Sequence, residues 1–260
     1  MIDIDGLINS LQKNDFLKSF FYEKTLSSTN DYISANEIAV NSLVITDEQT
    51  AGKGRAGKKW LSEKNTSLTF SIKKKFNISP AENQNIIRFF SYCVHSALKE
   101  LIDGSNINNN DGLIIKWPND ILFNGKKLCG ILVESKLPSD IYITGIGINC
   151  NQKYFPAELN AISLSEIIGN EIDITGLLIN ILDKFNSLKE LLLPEKSSIL
   201  FEKWKMQAKI IGKYCNFTRP DGTINNGKII DLNYDGSITV RINDKPEIFN
   251  AGELSLTGID

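Results

Sequence analysis

The sequence predicts an α+β fold in two parts, a larger part over residues 1–211 and a smaller β-rich part over residues 212–260. Up to residue 211, apolar residues recur at helical spacing in some stretches and at strand spacing in others, so helices alternate with strands. From Gly212 onward, short apolar runs are separated by turn sequences such as Tyr234-Asp235-Gly236. That pattern is typical of a small barrel or meander of short strands.

The chain is close to electrically neutral. It has 29 Lys and Arg against 31 Asp and Glu, which gives a net charge of −2. So small a charge gives no global reason to bind DNA or an acidic membrane. No apolar run approaches the roughly 18–20 residues of a membrane span, and the amino terminus lacks a signal-peptide pattern. We therefore expect a cytoplasmic protein that binds neither DNA nor membrane.

The cysteines do not form a metal or disulfide pattern. They lie far apart in the sequence, without a C-x-x-C pair, at Cys93, Cys129, Cys150 and Cys215. This spacing favours buried free thiols over a zinc site or a disulfide framework. No metal ligands can be assigned from the sequence.

The first elements are a short helix and a strand through Phe20–Tyr22. The polar stretch Ser27–Asn30 then opens a helix that we expect to reach about residue 39, since Ser and Thr are common helix caps. A strand over Leu43–Ile45 follows. Alternating apolar and polar residues over Ser67–Phe76 predict a half-exposed strand.

A long helix is predicted over Gln84–Asp103, where Arg88 and His95 fall on the polar face. We expect His95 to be solvated. The single histidine also argues against most Ser-His-Asp and Cys-His mechanisms.

A hairpin is predicted around Asn124-Gly125, the strongest short hairpin signal. The strand before it starts after Pro118, which should end regular pairing and present Asn119 and Asp120 at a strand end. The strand after it starts with Lys126-Lys127, so the hairpin returns these lysines to Asn119 and Asp120. Further on, Gly145 and Gly147 share one face of a strand. Glycines there indicate that a ligand or a neighbouring backbone comes close.

A basic glycine-rich stretch, Gly52-Lys-Gly-Arg-Ala-Gly57, follows the Leu43–Ile45 strand. Glycines let backbone N–H groups approach an anion, and the interleaved cations add charge, so the stretch favours a phosphate site. It lacks the Lys-Ser/Thr ending of a P-loop and matches the dinucleotide pattern only as a string. A flexible surface loop has the same composition.

Five stretches taken together resemble biotin protein ligases in order and spacing: Ser28–Asn30, Gln49–Trp60, Lys116–Asp120, Lys127–Glu134 and Gly145–Asn149. The resemblance is strong over Thr25–Asn151. After Asn151, only the pattern of helices and short strands matches the family. It implies a class II synthetase-like catalytic domain, with a mixed sheet flanked by helices, and a small carboxy-terminal SH3-like β-barrel. It also implies an ATP-dependent enzyme that forms biotinyl-5'-adenylate and transfers biotin to a lysine of the biotin carboxyl carrier protein of acetyl-CoA carboxylase, with Mg²⁺ accompanying ATP.

The resemblance implies a role for each motif residue. Arg55 and Lys127 are the expected catalytic cations. The expected biotin-binding residues are Ser28, Thr29, Asn30, Gln49, Lys53, Gly54, Arg55 and Lys127. The expected ATP and adenylate residues are Arg55, Trp60, Asn119, Lys127 and Asn149.

The chain departs from the family in two ways. Lys53 and Ala56 stand where many relatives have arginines, so fewer fork-like phosphate contacts are available and adenylate retention is in question. The residues before Thr25 are too few for the DNA-binding domain of the family's repressors, so we expect the monofunctional type, as a monomer or homodimer.

Two alternatives stay open from the sequence. A lipoate-protein ligase would share fold and chemistry, although its Arg-Arg-x-Ser-Gly-Gly-Gly signature has no counterpart here. A non-catalytic nucleotide- or nucleic-acid-binding module could use the same glycine-rich loop. Such a module would need neither Gln49 nor Lys127 at these places.

Overall fold

The computed structural model describes residues 2–35, 37–76, 78, 83–105, 112–135, 140–219, 221–250 and 255–257. The α-helices are α1 (Ile4–Leu11), α2 (Thr29–Ala35), α3 (Gln84–Asp103), α4 (Leu164–Ile168), α5 (Ile174–Ser187) and α6 (Ser197–Ala208). The strands are β1 (Ser19–Leu26), β2 (Ser42–Gln49), β3 (Ser67–Lys75), β4 (Leu113–Lys116), β5 (Asp120–Phe123), β6 (Lys126–Ser135), β7 (Ile141–Asn149), β8 (Tyr214–Thr218), β9 (Ile224–Leu232), β10 (Ile238–Ile242), β11 (Lys245–Phe249) and β12 (Ser255–Thr257).

A seven-stranded mixed sheet forms the larger part of the molecule, in the order β1-β2-β3-β7-β6-β5-β4. The β1–β2 pair is parallel, and the other neighbouring pairs are antiparallel. The predicted hairpin joins β5 to β6, and its turn residues Asn124 and Gly125 both have positive φ. The first turn position thus accepts asparagine and the second glycine, as such two-residue hairpins require.

Helices cover both faces of this sheet. On one face, α3 and α5 bury an aromatic cluster in which Phe90 and Phe185 meet edge to face, with ring centroids 5.0 Å apart. On the other face, α2 buries Ile33 against Val44 and Ile143. Burial of aromatic rings of this size is a major source of stability.

The smaller sheet is antiparallel throughout, in the order β11-β10-β9-β8-β12. Its apolar side forms one cluster with α6 and with β4, and this cluster includes Trp117, Trp204, Phe217 and Val240. The α+β fold class, with a mixed sheet flanked by helices and a small carboxy-terminal sheet, is therefore confirmed. The division into domains at residues 211 and 212 stays a prediction.

Several local predictions are confirmed. The β4 strand ends at Lys116, before Pro118. The four cysteines are buried and free. By contrast, the apolar spacing of residues 175–193 predicts one continuous helix, but α5 ends at Ser187 and the chain tightens into a 3-10 turn over Lys189–Leu192.

The prediction of a half-exposed β3 was wrong. Leu68, Phe70 and Ile72 are buried, and the alternating Thr69 and Ser71 are buried as well. The strand lies in the middle of the sheet between β2 and β7, with α2 on its polar side. Hydroxyl groups satisfied by neighbours can be buried there at little cost.

The prediction of a solvated His95 was also wrong, since His95 is only 2% exposed, and Arg88 on the same polar face is equally buried. His95 Nε2 lies 3.3 Å from the carbonyl oxygen of Leu113 in β4. Arg88 contacts the smaller sheet, which covers this side of α3. A helix periodicity cannot show that a later part of the chain covers the polar face.

Among the helices within the described ranges, none combines the length and the hydropathy that crossing a membrane requires.

Candidate functional site

One cavity of about 1560 Å³ opens at the carboxyl end of β4, the amino end of α2 and the glycine-rich loop. It brings together all the residues that the sequence assigned to a site. They are Ser28, Thr29, Asn30, Gln49, Lys53, Gly54, Arg55, Trp60, Asn119, Lys127 and Asn149.

The glycine-rich loop, residues 52–60, folds back on itself as a narrow hairpin-like loop. Trp60 N donates to Gly52 O over 2.9 Å, and Gly54 N donates to Lys58 O over 2.7 Å. A Cβ at position 52 would lie 2.6 Å from the carbonyl oxygen of Trp60, so a side chain there would force the two legs apart. The loop thus presents Arg55 at its tip, as the first residue of a 3-10 turn.

Arg55 reaches from the loop tip to the end of β4. Its Nη1 donates to Asn119 Oδ1 over 3.0 Å. Asn119 is itself fixed, because its Nδ2 donates to Ile131 O over 2.8 Å. Partial burial lowers the pKa of Arg55, while the Asp120 carboxylate acts in the opposite direction. The guanidinium stays charged, since its ordinary pKa lies far above neutrality.

Lys127 projects into the same cavity from the start of β6. Its Nζ lies 2.9 Å from Asp120 Oδ1 and 5.7 Å from the centre of the Trp60 ring. The predicted return of the hairpin to Asp120 is therefore confirmed. The ammonium group has a carboxylate on one side and an aromatic face on another, and both attract its positive charge.

The backbone of Lys127 is held on both sides. Lys127 N donates to Asn160 O over 2.9 Å, and Lys127 O accepts from Ile162 N over 3.0 Å. Asn149 Nδ2 adds a bond of 3.1 Å to Lys127 O. The strand therefore carries Lys127 as a rigid cation, and Asn149 is part of its support.

A polar network lies at the amino end of α2. Gln49 Oε1 accepts from Thr29 N over 2.8 Å and from Thr29 Oγ1 over 3.1 Å. The Ser71 hydroxyl oxygen lies 2.7 Å from Thr29 Oγ1 and 2.5 Å from Asn30 Oδ1. Asn30 Nδ2 donates to Glu134 Oε2 over 2.7 Å. Hydrogen-bond donors and acceptors thus lie side by side at this end of the cavity.

Ser28 and Lys53 complete this end of the cavity. Ser28 Oγ accepts from Asp31 N over 3.4 Å, as a helix cap does. Lys53 Nζ lies 2.6 Å from Asp31 Oδ1, and both side chains are about half exposed. The hydrogen bond to Asp31 raises the pKa of Lys53. This contact ties the first leg of the glycine-rich loop to α2.

The floor of the cavity is made by glycines in β6 and β7. A Cβ added at Gly145 would overlap the amide of Asn30, and one added at Gly147 would overlap the indole of Trp60. The groups that approach these glycines are side chains. The sequence-based expectation of a ligand or a neighbouring backbone as the close group missed this arrangement.

Sequence reasoning also left out residues that line or support the cavity. Ser71 and Glu134 both bond to Asn30. The signal for Ser71 was its place on the polar side of the alternating β3 strand. Lys116 faces Asp120 across the β4–β5 pair and also lines the cavity. Burial lowers the pKa of Lys116.

Comparison with known proteins places this geometry in a family. The model of the biotin/lipoate A/B protein ligase family matches residues 21–151. The bifunctional ligase/repressor BirA of Bacillus subtilis is 32% identical over 247 residues, which cover 90% of this chain and 73% of that protein. The chain belongs to the biotin/lipoate A/B protein ligase family. Within it, the relatives found are biotin protein ligases, so the resemblance is confirmed.

Other relatives agree with this assignment. The biotin–[acetyl-CoA-carboxylase] ligase of Mycobacterium tuberculosis is 28% identical over 126 residues, which cover 48% of this chain and 45% of that protein. Among solved structures, the biotin protein ligase of Aquifex aeolicus in complex with biotin and ATP has a TM-score of 0.73 and 27% identity. The superposition covers 92% of this chain and 99% of the Aquifex chain.

Proposed function

We propose that this chain is an ATP-dependent ligase that activates biotin as biotinyl-5'-adenylate and transfers it to a lysine of a biotin carboxyl carrier protein, such as the acetyl-CoA carboxylase subunit. The support is the family together with one geometric observation. Two cations on independent elements, Arg55 on the loop and Lys127 on β6, enter one cavity beside the polar network at α2.

The placement of these cations fits the chemistry of the first step. A biotin carboxylate oxygen attacks the α-phosphorus of ATP, a bond to that oxygen forms, and pyrophosphate leaves. Two like charges about 4 Å apart repel by about 1 kcal/mol in water and by about 4 kcal/mol at an effective dielectric of 20. A cavity that excludes water therefore needs cations where the anions meet, and Arg55 and Lys127 supply them.

The second step needs no group on the enzyme that becomes covalently modified. The amine of the acceptor lysine attacks the carbonyl carbon of the mixed anhydride, an amide forms, and AMP leaves with the bonding electron pair. Lys127 contacts the carboxylate and the α-phosphate, and Arg55 holds the acyl-phosphate. The absence of a nucleophile–base pair from the sequence motifs agrees with this sequence of steps.

The biotin pocket is assigned to the network at α2. Ser28, Thr29, Asn30 and Gln49 hydrogen-bond the ureido ring, and the backbone of residues 53–55, with Gly54 at its centre, closes the pocket. Thr29 and Gln49 already lie within 3.1 Å of each other. Because Gln49 Oε1 already accepts from Thr29, the amide nitrogen of Gln49 is the atom left to face the ligand.

The nucleotide is assigned to the side of the cavity that holds Trp60, Asn119 and Asn149. Trp60 supplies an aromatic face next to adenine, and Asn119 lies beside Arg55 on the phosphate side. In the described ranges no group of three or more His, Cys, Asp or Glu side chains could hold a metal ion. We expect Mg²⁺ to arrive on the phosphates of ATP, since Mg²⁺ is commonly bound by substrate phosphates together with one or two carboxylates.

We propose a cytoplasmic enzyme that acts as a monomer or homodimer and does not bind an operator DNA. We also propose residues 1–211 as the catalytic domain and residues 212–260 as an SH3-like domain. Specific binding of operator-like DNA in a gel shift would overturn the statement that the protein does not bind an operator.

Release of pyrophosphate from MgATP tests the function. We expect release when biotin is present and poor release with lipoate in its place. Release with lipoate alone would favour a lipoate-protein ligase. Nucleotide binding without any release would favour a non-catalytic module.

A further inference from the structure

Arg88 is a buried cation that the proposed chemistry does not use. It lies on α3, and its Nη1 donates to Asn85 Oδ1 over 3.0 Å. Its Nη2 donates to two carbonyl oxygens of the smaller sheet, Asn233 O over 3.1 Å and Tyr234 O over 2.7 Å. A buried charge is costly unless it is well hydrogen-bonded, so these bonds define where the guanidinium and its partners must lie.

Those two carbonyls belong to a turn between β9 and β10, residues 233–236, which we name the docking turn. Three rings surround the guanidinium carbon of Arg88, with centroids at 4.7 Å (Phe201), 5.5 Å (Tyr234) and 5.6 Å (Trp204). Tyr234 Oη donates to Ser197 Oγ over 2.6 Å. The docking turn is thus fixed against both α3 and α6.

Gly236 ends the docking turn in a tightly restricted place. Its φ is +92°, and a Cβ there would lie 2.5 Å from Gln84 Cγ of α3. The carbonyl oxygen of Gly236 accepts a hydrogen bond of 2.9 Å from Trp117 Nε1. Trp117 is 3% exposed and lies two residues before Asn119, which accepts from Arg55.

A continuous set of contacts therefore runs from α3, through the docking turn, to the end of β4 where the cavity begins. We propose that Arg88 is a positioning residue: it fixes the docking turn, the docking turn fixes Trp117, and Trp117 sets the position of Asn119 and Asp120 toward Arg55 and Lys127. The smaller sheet thereby takes part in building the catalytic cavity.

A purely structural role for these contacts makes a different prediction. If the docking turn only attaches the smaller sheet, its loss should lower thermal stability and leave the kinetics of the remaining folded protein unchanged. If it positions Asn119 and Asp120, a small change at Trp117 should slow adenylate formation in a folded protein. Small displacements of catalytic groups can lower rates up to about 100-fold.

Trp117→Phe is the test variant because it removes the N–H donor and keeps an aromatic ring. Trp204→Phe is the matched control, because it keeps an aromatic face beside Arg88 and loses no hydrogen bond to the docking turn. Trp204 is also 3% exposed and lies in the same apolar cluster, and its buried Nε1 has no hydrogen-bond partner among the residues that the structure describes. Both variants shorten a buried indole to a phenyl ring, so they share the packing cost.

The first readout is the single-turnover rate of adenylate formation at saturating MgATP and biotin. We expect Trp117→Phe to be about 10- to 100-fold slower than the parent, with the KM for biotin within about twofold, and Trp204→Phe within about twofold of the parent rate. Arg88→Met should resemble Trp117→Phe, and Arg88→Lys should recover part of the loss because it keeps the charge. If Arg88→Met fails to fold, the comparison of Trp117→Phe with Trp204→Phe tests the positioning role.

The kinetic readout rests on the proposed function, so a second readout is independent of activity. Hydrogen exchange of the amides of residues 119–123 should be about five- to tenfold faster in Trp117→Phe than in Trp204→Phe, the factor that corresponds to one hydrogen bond. An inactive parent protein would overturn the proposed function and leave this readout valid. Equal exchange in the two variants would overturn the positioning role, as would equal rates in an active protein.

Discussion

Lys127 Nζ lies 2.9 Å from Asp120 Oδ1, across a hairpin whose turn is fixed by Asn124 and Gly125. The carboxylate holds the ammonium group at one place in the cavity, and the backbone of Lys127 is bonded on both sides. Charge that is already in position when the reaction begins stabilises a transition state without reorganisation. We therefore expect Lys127 to act as a catalytic cation.

Replacement of Lys127 by alanine should lower the rate of adenylate formation by about 10²–10³, the usual cost of one preorganised charge-stabilising donor. Lys126→Ala is the control, because Lys126 is the adjacent residue and its Nζ forms a surface ion pair with Glu166 Oε1 over 3.8 Å. It should stay within about twofold of the parent, since a surface ion pair contributes little. Single-turnover kinetics measure both, and a parent-like Lys127→Ala would remove this lysine from the catalytic group.

Arg55 differs from Lys127 because it stands at the tip of the glycine-rich loop. Its bond to Asn119 closes the loop over the cavity. Arg55→Gly should therefore let the adenylate escape, so that free biotinyl-adenylate labels lysines of bystander proteins. Retention of radiolabelled adenylate on a filter measures this loss. Lys64→Gly, which removes an exposed cation just outside the loop, should retain the adenylate as the parent does. Equal retention by Arg55→Gly would contradict the role of Arg55.

Gly147 lies under the indole of Trp60, where an added Cβ would overlap the ring. Gly147→Ala should displace Trp60, raise the KM for ATP at least about tenfold and lower thermal stability, because overpacking typically costs about 1–3 kcal/mol. The double variant Gly147→Ala, Trp60→Ala should recover the stability, since the overlapping ring is gone. Thermal unfolding checks this pair of results. A double variant no more stable than Gly147→Ala would show that the added methyl group does not overlap the Trp60 ring.

The buried His95 predicts a pH dependence of folding. Burial lowers its pKa from 6.5 to about 4, although the bond to Leu113 O acts in the other direction. The unfolded chain then binds the proton more readily than the native one, so stability is present above about pH 6.5 and is lost as the pH falls toward 4. The loss should reach about 3 kcal/mol.

Urea unfolding at a series of pH values from 4 to 7 measures this dependence. The chain has one histidine, so the effect can be assigned. His95→Gln keeps a polar side chain near Leu113 and should flatten the curve in this range. An unchanged slope in His95→Gln would show that other groups cause the dependence.

Features determined by local sequence could be predicted, and features determined by later parts of the chain could not. The Asn124-Gly125 turn and the end of β4 before Pro118 follow from backbone preferences of those residues alone. The burial of Arg88 and His95 depends on the docking turn and on β4, which are remote in sequence. Periodicity within α3 carries no information about them.

In the candidate site, too, some residues could be predicted from the sequence and others could not. The motif residues were found because their order and spacing resemble a family, and the structure brings them to one cavity. The partners of Asn30, which are Ser71 and Glu134, come from the middle and the far end of two other strands. Their contribution becomes visible only when the sheet order places β3 and β6 on either side of β7.

Intact mass spectrometry of a biotin carboxyl carrier domain, incubated with the enzyme, MgATP and biotin, measures the proposed transfer itself. We expect that one biotin is added to one lysine of the carrier, that pyrophosphate and AMP appear with it, and that Lys127→Ala slows the modification. A carrier that stays unmodified while the parent enzyme is folded and supplied with both substrates would show that this chain is not a biotin protein ligase, and so would equal modification with lipoate.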